Sequence, residues 1–90
     1  MLPKNRTPTH PGVILREEFL LPLGMTQESL SKKTGMSIQR INGLINGKRG
    51  VTPETAWLLA GAFDASPEFW MNLQTLHDLA VARQRIEHNQ

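Results

Sequence analysis

Cysteine is absent from the 90 residues, which excludes a disulfide framework, a thiolate nucleophile and any zinc site built on cysteine. The fold must hold by packing and helix caps alone, a composition suited to a reducing cytoplasm. Long apolar runs are missing too: Phe19 to Leu21 and Trp57 to Ala60 fall far short of the roughly 20 residues a membrane span needs. The opening residues Met1-Leu2-Pro3-Lys4-Asn5-Arg6 carry no apolar stretch of the signal-peptide kind, so the expectation is a soluble protein that stays in the cytoplasm. Strand signals are lacking, since no stretch alternates apolar and polar residues and the β-branched residues are scattered.

Convergent chemistry is equally scarce. His10, His77 and His88 fall in an arm, a helix and a tail without HExxH spacing, and Glu17-Glu18 diverge by about 100° on a helix. Catalysis needs groups that meet in a pocket, so no metal, no cofactor and no enzymatic activity are expected.

What is present begins with charge. The net +2 hides an asymmetry: residues 1–50 hold eight Lys/Arg against three acids, a net of +5, while residues 51–90 hold two against five, a net of −3. A polyanion partner for the first half follows. The apolar content of 39% is enough for one modest core.

Punctuation predicts five helices and an all-α fold. Residues 1–10, with two prolines and two basic residues, read as a flexible arm. A first helix starts at Pro11 and is stopped after Leu21 by Pro22 and Gly24. Thr26 caps a second over Gln27 to Thr34, with Gly35 as its left-handed exit, and Ser37 caps a third, Ile38 to Asn46. Thr52-Pro53-Glu54 opens a fourth that reaches Phe63; Ser66-Pro67-Glu68 opens a fifth that runs to the mid-eighties. The domain spans 11–85, with 86–90 a frayed tail.

The apolar spacing gives Leu30, Met36, Ile41, Leu44 and Ile45 as a core shared by helices two and three. Ala56, Leu59, Ala60 and Phe63 form a stripe on helix four, and Phe69, Leu73, Leu76 and Ala80 one on helix five. Trp70 reads as a packing anchor; Trp57, with Leu58, falls outside the stripe and suits a dimer contact. Helix one is apolar around most of its circumference, which fits either a partner surface or burial on two sides.

Helix three carries the informative pattern. Ile38, Ile41, Leu44 and Ile45 lie on one side, while Gln39, Asn42, Gly43 and Asn46 line the other, flanked by Arg40. Asn and Gly weaken a short helix, so something other than helix stability selects them over Ala, Glu or Lys. Gln and Asn present a donor beside an acceptor and match adenine in the major groove, and Arg matches guanine. Gly43 would let the helix approach closely. A solvated face is the bland alternative. Gln27, Ser29, Lys32, Lys33, Ser37, Lys48 and Arg49 surround the stripe as groups able to hold phosphates or a helix start.

From Gln27 to Asn46, with Leu30, Gly35, Met36, Ile41 and Leu44 in place, the stretch resembles the helix-turn-helix of the lambda-repressor-like (XRE) family. Ser31 stands where the family usually has Ala, which implies a looser helix contact. His10-Pro11-Gly12, Asn46-Gly47-Lys48-Arg49, Thr52-Pro53-Glu54, Ala56, Ser66-Pro67-Glu68-Phe69-Trp70, Leu73-Gln74 and Asp78-Leu79 resemble the HigA/VapI antitoxins, a branch of it, with His77 in place of a common Tyr. The resemblance implies a five-helix bundle and a homodimeric repressor of its own operon on palindromic operator DNA. It also implies neutralisation of a HigB-type toxin that cleaves mRNA. The residues expected to contact DNA are Gln27, Ser37, Gln39, Arg40, Asn42, Asn46, Lys48 and Arg49. A stand-alone regulator without a toxin, or a protein-interaction module whose DNA binding is secondary, are the alternatives.

Overall fold

A computed structural model describes residues 8–89, and all of the secondary structure in them is helical. Five helices follow in order: α1 over 11–23, α2 Gln27–Thr34, α3 Ile38–Ile45, α4 Pro53–Ala62 and α5 Pro67–His88. Residues 1–7 of the expected arm, and Gln90 of the expected tail, lie outside the described residues.

The starts are set by local chemistry. The side chains of Thr26, Ser37, Thr52 and Ser66 each accept a hydrogen bond from the backbone N–H three residues on, satisfying a donor that the first turn leaves free. His10 caps α1 from one residue nearer, its Nδ1 accepting from Gly12 N, two residues on, over 2.9 Å. Between α2 and α3, Gly35 adopts φ 81°, a left-handed turn that L side chains resist. Ser31, in place of the family's Ala, donates to Met36 O over 2.6 Å and so ties α2 to this turn.

α1 departs from expectation at its end. It passes through Pro22 to Leu23 and is capped by Gly24 instead of stopping at Leu21. Its middle, Leu15–Leu20, is a π-helical turn in which Leu21 N–H reaches back five residues to Arg16 O. The widening accommodates Pro22, whose ring would in a regular helix collide with the carbonyl four residues back. The same turn brings Leu15 and Leu20, five apart, both into the core.

The core joins Leu15, Leu20, Leu30, Met36, Ile41, Leu44, Ile45, Val51, Ala56, Leu59, Phe63 and Trp70. Trp70 is fully buried among Phe19, Phe63 and Phe69, with Phe19 and Phe69 centred about 5 Å away. Three expectations are corrected here. The inward line of α5 is Trp70, Leu73, Gln74 and His77, whereas Phe69 and Leu76 are exposed. Both lines fit a 3.6-residue period, and the aromatic cluster built with α1 and α4 selects between them. Ile38 is exposed as well, because it opens α3 beside Ser31, Ser37, Gln39 and Asn42 where no other helix covers it. Leu58 packs against the core, so only its neighbour Trp57, 69% exposed, faces outward.

Candidate nucleic-acid interface

α2 and α3 meet through Leu30, Met36, Ile41 and Leu44, all buried, which fixes the outer side of α3 towards solvent. On that side the amides form a ladder. Asn46 Nδ2 donates to Asn42 Oδ1 over 2.9 Å, and Asn42 Nδ2 donates to Gln27 Oε1 of α2 over 3.5 Å. Asn42 and Asn46 are exposed and Gln27 is half-buried. Each amide keeps unspent donors or acceptors for an outside partner while its neighbour limits its rotation. Gln39 and Asn42, with Ser31, Ser37 and Ile38, line an open hollow of about 620 Å³ beside the ladder. Ser37 is committed as the cap of α3, accepting from Arg40 N over 3.1 Å.

Arg40 is not brought to this face. Its Nη1 donates to Glu54 Oε1 over 3.1 Å and its Nη2 to Thr55 Oγ1 over 2.5 Å, so the guanidinium is held against the first turn of α4. Thr55 is buried and shares the capping hydroxyl of Thr52. At Gly43 a Cβ would stand 3.1 Å from Cγ and Cδ of Arg49, whose stem lies across it.

Lys48 and Arg49 are exposed on the turn after α3, and both their N–H groups donate to Gly43 O, over 2.9 and 3.1 Å. Lys32 and Lys33 are exposed along the last turn of α2, where cations suit the helix dipole, and Ser29 accepts from Thr26 Oγ1.

Residues outside the expected set support the turn. His10 sits between Gly47 and α5, its ring 5.0 Å from that of His77, whose Nδ1 lies 2.8 Å from Pro8 O. Burial, then the neighbouring His77, hold the His10 imidazole below its ordinary value, against the opposing pull of Asp78 and of a hydrogen bond to the Arg49 backbone. The position of His10 before Pro11-Gly12 is the only sequence signal that marks it as a cap; Glu54 and Gln74 stand out in sequence only within the Thr52-Pro53-Glu54 and Leu73-Gln74 motifs, and Thr55 carries no signal. No group of metal-ligating side chains forms among the described residues.

An amide-lined second helix set on a first by a glycine turn is the arrangement of a helix-turn-helix protein. The helix-turn-helix family matches residues 15–70, and the chain belongs to that family, one of DNA-binding proteins and not of enzymes. Virulence-associated protein I of Dichelobacter nodosus is 43% identical over 82 residues, 90% of this chain and 76% of that protein. The antitoxin GraA superposes with a TM-score of 0.86 at 38% identity, covering 90% of this chain and 87% of the other. The Pseudomonas aeruginosa antitoxin HigA, solved with the higBA promoter, gives a TM-score of 0.82 at 38% identity, covering 90% and 92%. The likeness to HigA/VapI antitoxins visible in the motifs is borne out by these relatives. No helix among the described residues is long and apolar enough to cross a membrane.

Proposed function

We propose that this protein is a cytoplasmic, operator-binding antitoxin that represses its own operon as a homodimer and neutralises a HigB-type mRNA-cleaving toxin. The observation that carries the reading is the exposed ladder of Gln27, Asn42 and Asn46 beside Gln39, on a helix whose other side is core. Amides so arranged match adenine edges in the major groove, while Lys48 and Arg49 hold the backbone. A relative solved with promoter DNA supports this. Repression is steric: an occupied promoter excludes polymerase.

The homodimer is supported by α5. Phe69, Leu76, Leu79 and Ile86 are exposed, large and apolar, and recur at intervals of seven and three along that helix. Such a row suits a second copy of itself. Two α3 helices then enter successive major grooves about 34 Å apart, which requires a palindromic operator. Trp57, beside a hollow of about 230 Å³ lined by Pro53, Pro67 and Met71, supports a protein contact as well.

The test is a gel shift on the DNA upstream of the gene, together with co-expression of the adjoining reading frame. Gln39→Ala is expected to relax preference at particular base pairs at a cost of roughly 1–3 kcal/mol. Lys48→Ala is expected to weaken all sequences alike. Capture of the neighbouring product without any operator shift would instead favour a protein-interaction module.

A further inference from the structure

The turn over residues 46–52 carries Lys48 and Arg49, and three elements grip it. α3 holds it through Gly43 O, and His10, the cap of α1, lies against Gly47. The third grip comes from α5: Val51 N–H donates to Gln74 Oε1 over 2.6 Å, a buried bond between residues 23 apart. Gln74 Nε2 in turn donates to Asp78 Oδ1 over 2.8 Å, which fixes the amide with its oxygen towards Val51. Gly50 completes the fit, since a Cβ there would stand 3.0 Å from Cδ, Oε1 and Nε2 of Gln74.

A primary amide on the buried line of α5, below Trp70 and Leu73, is a costly choice where Leu or Met would pack without polar atoms. Its oxygen is satisfied by one backbone donor, and that donor stands two residues beyond Arg49. Bonding it anchors the exit of the turn and restricts the cations before they meet DNA, which lowers the ordering cost of binding.

We propose that Gln74, oriented by Asp78, is a positioning residue for the DNA-backbone contacts: it touches no DNA and sets the Lys48–Arg49 turn from the far side of the core. The proposal rests on the reading of Lys48 and Arg49 as phosphate contacts.

The experiment measures binding of the full-length chain to a mixed-sequence DNA duplex across a series of salt concentrations, so that no operator need be known. Gln74→Met removes the acceptor. Gln74→Glu keeps it but sets a second carboxylate against Asp78, and adding Asp78→Asn returns a donor to that contact. In Gln74→Met the dependence of log K on log salt is expected to flatten by about one to two units, one for each phosphate that the turn no longer holds. The Val51 amide is expected to exchange about tenfold faster. Gln74→Glu shifts both readouts the same way, and Gln74→Glu/Asp78→Asn restores them.

A role confined to stability lowers the melting temperature and leaves the salt slope unchanged, so an unchanged slope in folded Gln74→Met or Gln74→Glu overturns the proposal. So does a double variant that regains the wild-type melting temperature but not the slope. Should Gln74→Met fail to fold, the Gln74→Glu pair decides alone. Lys48→Ala and Arg49→Ala keep the two readings apart: wild-type slopes there remove the phosphate assignment itself, whereas flattened slopes there with unchanged Gln74 variants remove only the positioning role.

Discussion

Replacing Arg40 separates two roles that its position on α3 leaves equally open. In the structure its guanidinium, with 29% of the side chain accessible, bridges Glu54 at 3.1 Å and Thr55 at 2.5 Å. The Glu54 side chain is 73% accessible, so solvent screens that ion pair to roughly 0.2–1 kcal/mol. The bond to buried Thr55 contributes roughly 1 kcal/mol more. Arg40→Ala should therefore cost about 1–2 kcal/mol, a melting-temperature loss of about 5–10 °C for a domain of this size. To read a guanine, Arg40 would first have to break both contacts, forfeiting most of the roughly 1–3 kcal/mol that a bidentate base contact supplies. The structure thus makes Arg40 a brace between α3 and α4. The assay pairs thermal unfolding by circular dichroism with competition between the operator and single-base variants. A clear fall in melting temperature with the base preference unchanged is the expected result. An unchanged melting temperature with relaxed preference at one base pair would refute the reasoning and return Arg40 to base reading.

Gly12→Ala would drive a Cβ into Leu44 O and set it 2.6 Å from Leu44 C, main-chain atoms of α3 that cannot step aside, so a loss of about 3 kcal/mol or more is expected in chemical denaturation. Because burial keeps the folded His10 below its ordinary value, the unfolded chain takes up the proton first: stability is complete above pH 6.5 and is lost as the pH falls below it towards the depressed folded value. Unfolding curves between about pH 7.5 and 5.5 should show this, and His10→Asn, which keeps a capping oxygen without the titration, should flatten it. Leu79→Glu sets a charge on a residue 63% exposed in the single chain. It should leave the melting of the isolated fold nearly unchanged while shifting the sedimentation of a dimer towards that of a monomer.

The helix starts were readable because their chemistry is complete within one turn: Thr26, Ser37, Thr52 and Ser66 each bond an N–H three residues away. The inner side of α3 was readable for the same reason, except at Ile38, where the period continues but the covering helix does not. On α5 the period was ambiguous, since Phe69/Leu76 and Trp70/Leu73 both recur at helical spacing and only the ring cluster with Phe19 and Phe63 makes one of them core. Asn42 and Asn46 stood out in sequence as poor helix formers, yet the order in which they bond Gln27 did not.

Composition, capping residues and the spacing of apolar side chains were sufficient to define an all-α chain of five helices, the turn at Gly35 and the amide side of α3. These rest on interactions whose partners lie within about four residues, so the order of the letters contains them. The brace from Arg40 to Glu54, the grip of Gln74 on Val51 and the contact of His77 with Pro8 join residues 14, 23 and 69 positions apart. Packing alone brings such groups within reach, and the direction of each side chain follows from which helix happens to lie across from it.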